Sequence, residues 1–313
     1  MALTVNARDI AMLTTLAEHR LLTLHQLAAI HRKNIRALRR RLRELREQGM
    51  IETDTRAFGR RRGRPEGIIS LGELGLQLLK KESAIRADVL FDVVGRQGVL
   101  CLEHQLLVND CRVQLAGIGR VVPTINAQFF SHLSPFADRL PDGRTLVQEQ
   151  FEAADTGERV QFVPDGVFSL SHSELGKTLL FFLEVDMGSE TVASPQGSKK
   201  DLRQKVVNYR ALWVARRWGR YAEAWGCSLK GFRVLVLTST HSRLASACRM
   251  VQDMGAPDYV WLADRRRLLG EGIWASIWSR GGRNDLPADS ILGSQKPAPC
   301  PSPADVNLAV PAV

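Results

Sequence analysis

Three carboxylates, Asp165, Glu184 and Asp186, fall at the polar ends of two apolar runs, Val163-Pro164-Asp165-Gly166 and Leu179-Leu180-Phe181-Phe182-Leu183-Glu184-Val185-Asp186. Residues 161–170 read as one strand and 178–186 as the next, joined by a polar turn over 171–176. The second run is apolar on both faces, as a central strand of a covered sheet should be. Glu184 and Asp186 are two apart and so share a face, while Asp165 comes from the neighbouring strand. Clustered charge at the ends of buried strands is costly unless it holds a cation. Three hard oxygen ligands suit Mg²⁺ or Mn²⁺ rather than zinc. The plainer reading is acidic strand ends emerging into solvent. For any one carboxylate alone that reading is the stronger, and only the three together favour a metal.

These residues need a frame. A helix over 99–116 precedes them, with Glu103 and His104 as polar positions that could reach the acids, and 146–151 can form a first strand carrying Glu149. A helix over 198–218 follows, with Lys205 and Tyr209 four apart on one face and Val206, Leu212 and Trp213 as apolar contacts. Residues 233–238 form a buried strand, 242–254 a helix and 259–262 a further strand. From Leu286 onward Pro, Ala and Ser dominate without periodicity, so 286–313 is expected to be a disordered tail.

The N-terminal part has a different character. The 313-residue chain carries a formal charge of +10, and residues 31–64 hold thirteen Arg or Lys against four Asp or Glu, so most of the excess sits there. Such a block is the footprint of a nucleic-acid contact, because each neutralised phosphate releases counterions. A solvated helix face would carry interspersed acids instead. Asn6 is placed to cap a helix running to about Glu18, and Thr23 one over 24–30. After a turn at 31–34, a third helix runs to Gln48 and stops at Gly49. Its Ile35, Leu38, Leu42 and Leu45 form one apolar stripe, which leaves Arg36, Arg39, Arg40, Arg43 and Arg46 largely off it. That is the layout of a helix packed by its leucines and facing a phosphate backbone with its arginines. Residues 50–53 and 67–71 read as paired strands around a basic loop with Arg60, Arg61, Arg62 and Arg64, and a further helix begins near 72–75.

Two domains fit this length: 5–82, then a weakly periodic linker over 83–98, then 99–285. The five cysteines, Cys101, Cys111, Cys227, Cys248 and Cys300, show no zinc-ligand spacing and read as reduced, mostly buried thiols. Neither an export signal nor a membrane-spanning run is visible, so a cytoplasmic location without a membrane partner is expected. The six tryptophans recur in helix or strand registers and read as core or interface, some of them suited to a dimer seam.

Three helices and a basic-tipped hairpin resemble the winged helix-turn-helix domains of bacterial DNA-binding proteins. The later order of helix, three strands, helix and strand, with the literal Pro164-Asp165 pair and Glu184, resembles the αβββαβ core of the PD-(D/E)xK nuclease superfamily, a restriction-endonuclease-like α/β fold. That superfamily usually has lysine two residues after the second acid, where this chain has Asp186. Some branches carry the lysine on the following helix, and Lys205 lies there. A longer set of motifs is similar to the plasmid replication-relaxation family: His104-Gln105-Leu106-Leu107-Val108-Asn109-Asp110, Arg112-Val113-Gln114-Leu115, Val163-Pro164-Asp165-Gly166, Phe182 to Thr191, and Lys205-Val206-Val207-Asn208-Tyr209. Met187 stands where members tend to carry an arginine.

The resemblance implies a bacterial DNA-binding protein of a plasmid or mobile element, with double-stranded DNA as partner and replication or mobilisation proteins as further ones. Two readings follow from it. In one, Asp165 and Glu184 coordinate Mg²⁺, with Asp186 or Glu103 as additional ligands, and Lys205 orients a water for phosphodiester hydrolysis, Tyr209 lying beside it. In the other, the nuclease-like domain is inactive and serves dimerisation or partner docking. A covalent tyrosine mechanism is set aside, because Tyr209, Tyr221 and Tyr259 lack a histidine-rich metal setting.

Overall fold

The computed structural model describes residues 4–54, 67–188 and 201–293. The expected basic loop with Arg60, Arg61, Arg62 and Arg64, and the tail beyond 293, lie outside these. The chain divides into two compact units, one of residues 4–113 with Leu133–Ala137, the other of residues 114–132 and 138–293. No described helix is long and apolar enough to cross a membrane.

In the first unit the elements are α1 (Ala7–His19), β1 (Leu21–Thr23), α2 (Leu24–His31), α3 (Ile35–Glu47), β2 (Ile51–Asp54), β3 (Ile68–Leu71), α4 (Glu73–Lys81) and α5 (Phe91–Val94). The helix starts follow from side-chain caps. Asn6 and Thr23 each accept the N3 amide in reciprocal capping boxes with Asp9 and Gln26, and Asn34 accepts the Arg36 amide. The three strands form an antiparallel sheet in the order β1-β3-β2. Leu38, Leu42 and Leu45 of α3 are buried in one core with Leu13, Leu16, Leu27, Ile69 and Leu76.

Residues 83–98, expected as a linker, contribute to that core. Ile85, Val89 and Val94 are buried in it, Arg96 pairs with Asp54 at 2.6 Å, and the spacing of these residues has no single period to read. Helix α6 (Leu102–Val121) runs through the boundary between the units. In the first unit its Asn109 donates to the carbonyl of Leu21 at 2.6 Å and Arg112 pairs with Glu18.

The second unit holds β4 (Ile125–Phe130), β5 (Glu149–Glu152), β6 (Arg159–Phe162), β7 (Gly166–His172), β8 (Lys177–Asp186), α7 (Leu202–Val214), α8 (Gly219–Trp225), β9 (Phe232–Thr238), α9 (His241–Asp253), β10 (Val260–Asp264), α10 (Arg265–Glu271) and β11 (Ser279–Arg280). The main sheet has the order β11-β10-β9-β8-β7-β4. β4, β7 and β8 form an antiparallel meander, and β8, β9 and β10 run parallel. One face of this sheet packs Phe182, Val234 and Leu262 against Val206, Tyr209 and Leu212 of α7 and Leu244 and Val251 of α9.

Three expectations are corrected here. The first strand of the meander is β4, not 146–151, whose strand β5 pairs with β6 in a separate two-stranded sheet. The single strand expected over 161–170 is broken at 163–165, so Asp165 lies in the bend just before β7 rather than on a strand. Leu286 is exposed, but Asp289 is bridged to Trp278 and Ile291 and Leu292 are buried, so packed chain extends past the expected start of the tail. The four described cysteines are free, and only Cys111 and Cys248 are buried.

Candidate functional site

Two places in the molecule gather the expected functional residues. The first is the outer face of α3. With Leu38, Leu42 and Leu45 turned into the core, Arg36, Arg39, Arg40, Arg43 and Arg46 are all exposed. Arg41 is different: it is half-buried, reaches Asp9 with Nε 2.8 Å from Oδ1, and pairs with Glu44 at 2.6 Å. It fastens α3 to α1, while the other five stand exposed on its outer side.

The second place is the carboxyl end of β8. Residue 166 sits opposite Leu183 in the antiparallel register, which brings the bend at Asp165 beside Glu184. Asp165 Oδ2 accepts the Val185 amide at 2.7 Å, fixing the carboxylate there. Glycine at 166 is a steric requirement, because a Cβ would come within 2.1 Å of the Phe129 ring. Asp201 caps α7 by accepting the Gln204 amide at 2.7 Å, which sets the helix so that Lys205 and Tyr209 both face β8.

Glu184 is 3 % exposed. Its Oε1 accepts from the Tyr209 hydroxyl at 2.6 Å and its Oε2 lies 3.0 Å from Lys205 Nζ, whose side chain is 28 % exposed. Burial pushes the Glu184 carboxyl above the usual glutamate range; the Lys205 ammonium opposes this, the Asp165 charge adds to it, and the hydrogen bonds from Tyr209 and Lys205 oppose it again. Burial, reinforced by Glu184, drives the Tyr209 phenol well above its ordinary value. Tyr209 therefore acts as a proton donor that orients Glu184. A buried phenol held in this way is no nucleophile.

Asp165, Glu184, Lys205 and Tyr209 are thus brought together. Asp186 is not part of the group: both its oxygens are engaged by Arg243 of α9, Nε at 2.6 Å and Nη2 at 3.0 Å, and its Oδ1 also accepts the Gly188 amide. Glu103 is exposed in the first turn of α6, in the first unit. Among the described residues no three His, Cys, Asp or Glu side chains form a metal-holding group, so the expected trio of Asp165, Glu184 and Asp186 is not assembled. The reason is Arg243, on the first turn of α9, which takes up both Asp186 oxygens. The two remaining carboxylates are too few for an all-protein cage, and Glu184 already meets Tyr209 and Lys205.

A second buried glutamate went unassigned in the sequence. Glu149 accepts from the Tyr221 hydroxyl at 2.6 Å and from Arg220 Nη1 at 3.2 Å, while Arg220 Nη2 donates to the Leu146 carbonyl at 2.6 Å. The adjacent Arg220-Tyr221 pair was the available signal. Phe182 stands between the clusters, its ring contacting both Tyr209 and Tyr221.

No curated protein and no solved structure matches the chain. A family model described as Replication-relaxation matches residues 13–225, a span that includes α3, Asp165, Glu184, Lys205 and Tyr209 and ends before β9. Since that match covers more than half of its length, the chain belongs to the replication-relaxation family, whose membership supports a role in plasmid replication or mobilisation.

Proposed function

We propose that the chain is a DNA-binding protein of a plasmid or mobile element that cleaves or nicks DNA through the Glu184 site. The order α1-β1-α2-α3-β2-β3, with its three-stranded antiparallel sheet, supports a winged helix-turn-helix reading of the first unit. The exposed arginines of α3 would meet phosphates, with steep salt dependence as the consequence. The meander β4-β7-β8 followed by α7 and the parallel strand β9 supports a nuclease-like reading of the second unit.

The observation that carries the cleavage reading is the convergence of Asp165, Glu184 and Lys205, from a bend, a strand end and a following helix. Asp165 and Glu184 would hold Mg²⁺ or Mn²⁺, which when bound neutralises charge on a phosphate and lowers the pKa of its water. Lys205, partly exposed and anchored on Glu184, would take a phosphate oxygen or orient water. Tyr209 holds Glu184 in one rotamer.

A second reading has its own observation. Both Glu184 oxygens and both Asp186 oxygens are already met by protein donors, as an architectural site would have them. In that case the second unit serves docking and the first alone acts on DNA.

Incubation of supercoiled and linear duplex at low salt with Mg²⁺, Mn²⁺ or EDTA, scored for cleavage and gel retardation together, separates these readings. Glu184→Ala should abolish metal-dependent cleavage and keep retardation. R36A/R39A/R40A/R43A should lose retardation and lower the log–log salt slope by roughly 3 to 4, about 0.9 per lost contact. Retardation without cleavage in any metal supports docking; no retardation refutes DNA binding itself.

A further inference from the structure

At the carboxyl ends of the parallel strands β8, β9 and β10, the residues Asp186, Thr238 and Asp264 stand in register. Asp186 and Asp264 are buried, and each is met by a cationic or imidazole side chain from the first turn of α9. Arg243 grips Asp186, and His241 Nδ1 lies 3.3 Å from Asp264 Oδ2. His241 is 85 % exposed, so this contact holds a ring that otherwise stands in solvent. Directly after Asp264 come Arg265, Arg266 and Arg267. Arg267 is structural, its Nη atoms donating to the carbonyls of Ile277 and Ser276 at 3.1 and 2.8 Å. Arg265 is half-buried and Arg266 exposed.

Arg243 and His241 meet buried carboxylates and Arg267 pairs along its own helix with Glu271 at 3.3 Å, which leaves the charge of Arg265 and Arg266 to be accounted for. Neither α9 nor α10 has an acid in its first turn, and cations at a helix start oppose the dipole. Arg265 and Arg266 are therefore better explained by something outside the fold. Adjacent strands lie about 4.8 Å apart, so the edge from β8 to β10 extends about 10 Å. Phosphates along one strand of duplex DNA recur every ~3.4 Å of axis, so the edge spans roughly three of them. Ligands in open α/β sheets lie beyond the carboxyl ends of parallel strands, which is where this edge is.

We infer that the edge formed by Arg243, His241, Arg265 and Arg266 is a second contact for the DNA backbone, running from the Glu184–Lys205 site across β9 to β10. It rests on the reading that the chain binds DNA, and it does not require cleavage. The occupant is a polyanionic backbone rather than a base, because the edge offers cations and an imidazole. These residues lie beyond the span matched by the replication-relaxation model.

The test is the salt dependence of binding to a duplex by the full chain, comparing wild type, R265A/R266A, Arg266→Glu, R36A/R39A/R40A/R43A, and R216A/R217A as a control at exposed arginines elsewhere in the second unit. R265A/R266A should lower the log–log slope by about 1 to 2 and Arg266→Glu should weaken binding at least tenfold at low salt, with the control unchanged. Arg266 is exposed, so the single variant reports on contact even if the double variant is poorly folded. A wild-type slope in both edge variants, alongside a reduced slope in the α3 variant, overturns the edge and leaves the α3 reading standing. An equal loss in the control overturns it as well, since the effect would then be general charge. Unchanged binding in every variant refutes DNA contact by α3 and the edge together.

Discussion

Glu149 and Glu184 sit in similar surroundings. Each is buried, accepts a 2.6 Å hydrogen bond from a fully buried tyrosine, and pairs with a basic side chain. The difference lies in the cation and in what stands beside it. Arg220 spreads its fork over Glu149 and the Leu146 carbonyl and is 16 % exposed, so its donors are committed to holding two chain segments together. Lys205 is a point charge with solvent at one side, and the Glu184 carboxylate has Asp165 as an acidic neighbour. One cluster closes on itself. The other keeps a cation and two acids within reach of a ligand. A buried glutamate is therefore weak evidence for function; the partner's geometry decides.

The largest effect that could break this contrast is in stability. Glu149→Ala should cost about 3–5 kcal/mol, because it strands a buried guanidinium, whereas Glu184→Ala should cost about 1–3 kcal/mol, because Lys205 can turn to water. Urea denaturation of both variants measures the gap, and equal costs would erase the distinction. Next come the cations themselves. Arg220→Lys should lose about 1–2 kcal/mol, since an ammonium cannot make both forked bonds, while Lys205→Arg should stay within about 1 kcal/mol of wild type. Tyr209→Phe and Tyr221→Phe should each cost about 1–3 kcal/mol in thermal unfolding, and neither should alter gel retardation.

The smallest effect is the pH response. Burial raises both glutamates; Arg220 and then Tyr221 pull Glu149 back, as Lys205 and Tyr209 do Glu184. The folded state thus holds these protons more tightly than the unfolded chain does. Their contribution to stability is full below the ordinary glutamate range and is lost as pH rises through the raised values. As pH rises above the ordinary glutamate range, Glu184→Gln should flatten the fall in urea midpoint expected for wild type; a steeper fall in the variant would reverse the assigned direction.

Much of the first unit was legible because its signals are local. Asn6 and Thr23 cap the helices they were expected to cap, and Leu38, Leu42 and Leu45 mark the buried side of α3. In the second unit the four-residue spacing of Lys205 and Tyr209 did place them together, opposite Glu184. What escaped depends on distant pairing. β4 alternates over 125–129, with Asn126 and Gln128 exposed between Ile125, Ala127 and Phe129, but its pairing with β7 skips over β5 and β6, which no local pattern shows. Asp186 looked like a metal ligand because its partner, Arg243, lies 57 residues onward. The role of Glu149 is hidden in the sequence because Tyr221 is 72 residues away.

Parallel assays of Glu149→Gln and Glu184→Gln put the contrast between the two clusters to its most direct trial. Cleavage of supercoiled DNA in Mg²⁺ or Mn²⁺ and unfolding in urea would be measured on the same preparations. The account predicts that Glu184→Gln loses cleavage while staying folded and bound to DNA, and that Glu149→Gln loses stability while its folded fraction still cleaves. Equal activity per folded molecule in both variants, or no cleavage by the wild type in either metal, would contradict it.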